Sequence, residues 1–122
     1  MTNDNVRGFA IAYLEDVEVG PEILEYMSQV ESTFVPFGGQ WLVHGTLPQV
    51  LEGPLPGNVV IIEFPSAGHA HRWYASPDYQ EIIGLRAEHS RSVLAVLTGV
   101  APGYRAEETV AQLRSAVESG SD

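Results

Sequence analysis

Two polar side chains stand near the ends of apolar strand-like runs: His44 in Gln40-Trp-Leu-Val-His-Gly-Thr46, and Glu63 in Val59-Val-Ile-Ile-Glu-Phe64. A carboxylate beside an imidazole is a general base with an orienting partner, or the reverse, and can move a proton on a small organic molecule. Alternate residues of a strand share a face. Gln40, Leu42 and His44 are therefore expected to point one way, and Val59, Ile61 and Glu63 to share a face of the neighbouring strand. Where those two faces coincide, Glu63 and His44 meet near a sheet end as a candidate catalytic pair. The connection 47–57 leaves the register between the strands open. A strand-end acid can equally serve structure, by a hydrogen bond to backbone or a pairing with an arginine.

Other side chains supply candidate substrate contacts. Arg86 can clamp a carboxylate through two parallel hydrogen bonds, or tie its helix to the sheet in an ion pair, with Glu63 as one possible partner. His89 follows at the exit of the same helix. Trp41 can line an aromatic pocket or simply pack in the core, and Tyr13 carries a phenol at the end of the first strand that can reach a cleft. His69 and His71 spell His-x-His, but on a helix residues i and i+2 diverge by about 200°, so they do not share one ion. No third ligand has suitable spacing, and no metal site is expected. The chain has no cysteine, which removes thiol nucleophiles, thiolate metal sites and disulfides. Gly38-Gly39 precedes a strand rather than a helix, so it is turn chemistry and not a phosphate loop. There is no Gly-x-Ser-x-Gly nucleophile signature.

These residues need elements to hold them. Gly8–Leu14 is a short apolar run that reads as a central strand. Gly20-Pro21-Glu22 opens a helix, with proline at the first helical position and an acid at the positive dipole end. Ile23, Met27, Val30 and Phe34 form its apolar stripe, and Pro36 stops it. Gln40–Thr46 is the second strand. Leu47–Gly57, with three prolines and two glycines, is a long connection in which Val50-Leu51-Glu52 can form a short arm. Val59–Phe64, with four consecutive β-branched residues, is the third strand. Ser66 suits an N-cap, and Ala70, Trp73 and Tyr74 lie on the core-facing side of the helix that follows. Ser76-Pro77-Asp78 starts a further helix carrying Tyr79, Ile82, Ile83 and Arg86 along one face. Arg91–Leu97 is the fourth strand, and Tyr104–Val117 can form an appended helix with Val110, Leu113 and Val117 on one side.

The resulting β-α-β-β-α-β order predicts an α+β, ferredoxin-like sandwich: an antiparallel four-stranded sheet with the helices on one face. Its strands are too apolar on both sides to leave the second face wet. The expected cover is a second copy, sheet against sheet, giving a homodimeric α/β barrel. Three segments are expected: a disordered N-terminus over 1–7, the domain over 8–100 and a C-terminal helical tail over 101–122.

Sixteen acids face six basic residues, all arginine, for a net charge of −10. That balance argues against nucleic acid, whose phosphates need clustered cations, and against docking on anionic membranes. The N-terminus lacks the features of a signal peptide, and no apolar stretch approaches the roughly 18 residues of a membrane span. A cytoplasmic location is expected.

Several of these segments, taken in order, resemble a known family: Phe37-Gly-Gly39, Trp41-Leu-Val-His-Gly45, Val50-Leu-Glu-Gly53, Val60-Ile-Ile-Glu-Phe-Pro-Ser66, Ala70, Trp73-Tyr74, Ser76-Pro77, Tyr79, Arg86 and Val96-Leu-Thr-Gly-Val100. The set is similar to the dimeric α/β-barrel family called domain of unknown function 1330, over about residues 8 to 100. The resemblance implies a ferredoxin-like protomer and a dimer whose sheets form a barrel. Its wider superfamily includes small monooxygenases and heme-degrading enzymes, while the family itself carries no settled activity. His44 departs from the arginine often found in that strand of the family.

The expected function is that of a cofactor-free enzyme acting on a small, partly apolar organic substrate in the barrel cleft, with Glu63 and His44 as its acid–base pair. The alternatives are a non-catalytic small-molecule-binding homodimer and a purely structural one.

Overall fold

The computed structural model describes residues 6–120. Its elements are β1 (Gly8–Glu15), α1 (Pro21–Phe34), β2 (Gln40–Thr46), β3 (Asn58–Phe64), α2 (Ala67–Ala75), α3 (Pro77–Ala87), β4 (Arg91–Thr98) and α4 (Ala106–Gly120), with a 3-10 turn at Val35–Phe37 after α1. The four strands form one sheet in the order β2-β3-β1-β4, every neighbouring pair antiparallel. This is the split βαβ arrangement that the order of elements predicts. Of the expected disordered segment 1–7, residues 1–5 lie outside the described residues. Arg7 is tied at both ends: its carbonyl accepts the Gly99 N–H at 2.7 Å and its Nε donates to Glu63 at 3.0 Å.

The register sorts the strands into two faces. Ala10 opposes Ile62 and Val96, and Ala12 opposes Val60 and Leu94. These residues, with Phe64 and Trp41, face the helices and join the core with Val30, Phe34, Ala70, Trp73, Tyr79 and Ile82. The opposite face carries Phe9, Ile11 and Tyr13 of β1, Ile61 and Glu63 of β3, and Val93, Ala95 and Leu97 of β4. In the single chain Val93 and Leu97 are exposed.

β1 is built asymmetrically. Large side chains stand on its open face, whereas Gly8, Ala10 and Ala12 stand on its helix face. A Cβ at Gly8 would fall 2.3 Å from the Ala67 nitrogen, so only glycine lets the start of α2 lie against the strand.

Ser76 joins the two middle helices. Its Oγ donates to the Trp73 carbonyl at 2.7 Å, closing α2, and accepts the Tyr79 N–H at 3.3 Å, opening α3. One buried hydroxyl thus answers backbone groups at two helix ends. Trp73 is buried and its indole N–H donates to Thr33 Oγ1 on α1 at 2.9 Å. Tyr74, expected beside it on the core side, is instead 39% exposed. No residue of α4 is buried.

Candidate functional site

Between the helix face of the sheet and α1 lies a cavity of about 240 Å³. Ala10 and Ala12 are small where the flanking strands carry Val60, Ile62 and Leu94, so the sheet wall is hollowed at β1. Ile23, Tyr26, Met27 and Val30, one stripe of α1, form the opposite wall. The polar side chains in the lining are Tyr26, His44, Asn58 and Arg86, with the indole of Trp41 beside them. Among the described residues no aspartate or glutamate lines it.

Arg86 sits on α3, on the face it shares with Tyr79 and Ile82, and is only 5% exposed. Its Nη1 donates to Ser92 Oγ on β4 at 2.6 Å, which ties the helix to the sheet. The guanidinium carbon lies 5.9 Å from the centre of the Tyr26 ring, within cation–π range. Its Nε is buried and has no hydrogen-bond partner among the described residues. Burial works against the charged form of Arg86, but the phenolic oxygens of Tyr79 and Tyr26 outweigh it and its pKa is raised. Tyr26 and Tyr79 share a hydrogen bond between their hydroxyls at 2.8 Å. Burial, and then Tyr79, push the Tyr26 phenol well above its ordinary value, with Arg86 pulling weakly the other way. Tyr26 is therefore a neutral hydroxyl at physiological pH.

His44 reaches the same cavity through an irregularity of β2. Trp41 opposes Ile62 and Val43 opposes Ile61, so two residues advance on β2 for one on β3; between Val43 and Thr46, three advance for two. These are β-bulges, and each reverses the facing of the residues after it. The second contains Gly45 at φ +67°, a left-handed conformation suited to glycine. After the first bulge His44 falls on the helix face with Trp41, and the two rings stack 4.1 Å apart at 17°. The Trp41 indole N–H donates to Glu31 on α1 at 2.8 Å, which fixes the stack against the helix.

This geometry corrects the expected catalytic pair. Glu63 lies on the open face, opposite Phe9 and Gln40. There it accepts from Arg7 Nε at 3.0 Å and from Gln40 Nε2 at 3.2 Å. The sheet separates it from His44 and equally from Arg86. The simple alternation that placed Gln40, Leu42 and His44 together fails at the bulge: Gln40 stays on the face of Glu63 and His44 does not.

Two expected substrate contacts also fall elsewhere. The Tyr13 hydroxyl is on the open face and accepts the Gly57 N–H at 2.6 Å, anchoring the end of the 47–57 connection. His89 meets Glu18 at 3.3 Å through its Nδ1, and its carbonyl accepts the Glu18 N–H at 2.8 Å, so it staples the β1–α1 loop to the exit of α3. Neither lines the cavity. Of the expected site residues, the cavity gathers His44, Trp41 and Arg86. His69 bonds to its own helix cap, Ser66, at 2.6 Å. Among the described residues no group of three or more histidines and acids could hold a metal ion.

Tyr26 is the cavity residue that sequence reasoning passed over. It stands at i+3 from Ile23, on the stripe that Met27 and Val30 continue. A tyrosine on a buried stripe needs a partner for its hydroxyl, and that requirement was the available signal.

The family model described as "Domain of unknown function (DUF1330)" matches residues 7–100, and the chain belongs to this family. No protein with a curated description matches the sequence. Among solved structures, the chain is similar to a protein of unknown function from Rhodopseudomonas palustris, with 20% identity, a TM-score of 0.60, and 82% of this chain and 86% of that one covered. It is also similar to a dimeric ferredoxin-like protein of unknown function from Jannaschia sp. CCS1 (13% identity, TM-score 0.54, 75% and 97% covered). A third is the hydroxynitrile lyase from Passiflora edulis (10% identity, TM-score 0.57, 81% and 97% covered). At these identities the likeness establishes the ferredoxin-like fold.

Proposed function

We propose that the protein is a homodimeric small-molecule-binding protein, each protomer taking a small, largely apolar organic molecule between its sheet and α1. The observation that carries this reading is the cavity itself: apolar walls with a few polar side chains converging on them, the usual make-up of a ligand pocket. Its size restricts the occupant. Drug-sized ligands fill pockets from about 300 Å³ upward, whereas an apolar cavity of about 150 Å³ accepts benzene. A volume of about 240 Å³ therefore suits a single ring with a substituent, or a branched chain of similar bulk.

The test is to fill the cavity. Ala12→Leu places a larger side chain in the hollow of β1. Native mass spectrometry of the wild-type protein is expected to show a small organic molecule retained per protomer, and the variant, folded by circular dichroism, is expected to lose it. Equal retention by both proteins would refute the assignment. Pairing of the open sheet faces is supported by their apolar side chains and by relatives described as dimeric. We place the protein in the cytoplasm, in keeping with its lack of cysteine; among the described residues no helix is long and apolar enough to cross a membrane.

A second reading, catalysis without a cofactor, is favoured by His44 on the cavity wall. An imidazole there can accept a proton from a bound molecule and return it. Glu63 has no part in this version. Incorporation of solvent deuterium into the retained molecule, lost in His44→Gln, is the expected sign; a bound molecule that never exchanges reduces the reading to binding.

A further inference from the structure

We infer that the cavity is built for a small carboxylate with an apolar body, its anionic head held by Arg86 and its body lying over Ala10, Ala12 and Ile62. The inference rests on the ligand-binding reading above and names the class of ligand. Arg86 is 5% exposed, lines the cavity and has no carboxylate within ion-pair distance among the described residues. A buried cation without a counter-charge is costly, because the ion gives up its hydration with no opposite charge to replace it. This chain has sixteen acids against six arginines, so partners for a purely structural arginine were plentiful. Among the described residues none of them lines the cavity.

The donors match such a ligand. The guanidinium is engaged by Ser92 Oγ and by the phenolic oxygens of Tyr79 and Tyr26, while Nε–H is without a partner. A buried donor left unmade marks this guanidinium as under-satisfied by the protein alone. A planar carboxylate suits the fork of an arginine, and such charge-assisted bonds are about twice as strong as neutral ones. The Tyr26 hydroxyl, beside the guanidinium and held neutral, is a further donor within the same wall. The remaining walls, Ile23, Val30, Ile62 and Leu94 among them, fit only an apolar body. Ser92 acts on the head group indirectly, as a positioning residue that orients Arg86.

Titration calorimetry on the intact protein, with paired probes of equal size, tests this. Benzoate is compared with its neutral isostere benzamide, and isovalerate with isovaleramide; inorganic phosphate serves as an anion without an apolar body. Each carboxylate is expected to bind more tightly than its amide by about tenfold or more, the size of one charge-assisted hydrogen bond, with phosphate weaker than either carboxylate. Arg86→Gln is expected to erase the preference for carboxylate over amide, and Ser92→Ala to reduce it. Should Arg86→Gln fail to fold, the wild-type pairs and Ser92→Ala still decide the matter. Amides binding as well as the carboxylates would overturn the anionic ligand while leaving the cavity a binding site. Phosphate binding as tightly as benzoate would overturn the apolar body. Binding of none of the probes, together with no retained molecule by mass spectrometry, would overturn both this inference and the reading beneath it.

Discussion

At the scale of single residues, two polar groups of the cavity wall, Tyr26 and Arg86, change charge only at high pH. Tyr26 has its pKa raised from an ordinary value of 10.0, chiefly by burial. The sign of its effect on stability follows from linkage. Below about pH 10 the phenol is protonated in both folded and unfolded chains, and its contribution is fully present. As the pH rises further, the unfolded chain releases the proton first and the folded state is progressively destabilised. Melting temperatures are expected to fall as the pH rises above about 10, and to fall less steeply in Tyr26→Phe. The same variant should lose about 1 kcal/mol at neutral pH, because the Tyr79 hydroxyl loses its partner. A pH profile unchanged by the substitution would show that Tyr26 is not the group responsible.

Among the elements, β2 decides which side chains reach the cavity. Gly45 holds φ +67° in its second bulge, and a residue with a Cβ pays roughly 1–2 kcal/mol in that conformation. Gly45→Val is expected to destabilise the protein by about that amount in urea unfolding. It should also weaken ligand binding, since the strand can relax only by turning His44. The contrast with the other elements shows what the sequence made legible. Strand and helix identities, the helix starts at Pro21 and Pro77, the Ser66 cap and the core roles of Trp73 and Tyr79 are all written locally, in β-branched runs, prolines and caps. The site was half legible. Arg86 and Trp41 were visible as residue types, but the facing of His44 depends on pairing with β3 across an eleven-residue connection without regular structure. A bulge has no dependable local signature, because glycine in a strand marks turns, bulges and close approaches alike. Glu63 keeps the face it was expected to share with Ile61, and the pair fails because His44 leaves it.

For the whole molecule, two forces oppose each other. The open sheet face carries Phe9, Ile11, Val93 and Leu97, a surface that a monomer rarely leaves wet, while each copy carries a net charge of −10. Burial favours pairing and like charge resists it. Light scattering is expected to show a dimer at micromolar concentration that tightens as salt is raised from low levels, because added ions screen charges farther apart than about 10 Å. Val93→Arg, which places a cation on that face along its β4 side, is expected to yield monomers. A dimer indifferent to this change would place the contact elsewhere, and the exposed stripe of Val110, Leu113 and Val117 on α4 would then be the surface to alter next.

The bulges of β2 bear on one more property, how far copies of this chain can grow into larger assemblies. β2 and β4 are the two margins of the sheet, and a margin of regular strand is a template on which another chain can build. Both bulges lie on the β2 margin, where the backbone N–H and C=O groups depart from ladder spacing. Only β4 therefore offers an even row. A sheet that can be extended on one side alone joins one neighbour and stops, so an edge-to-edge encounter between single chains ends at a pair; growth beyond it needs the second β4 edge that pairing through the open faces brings.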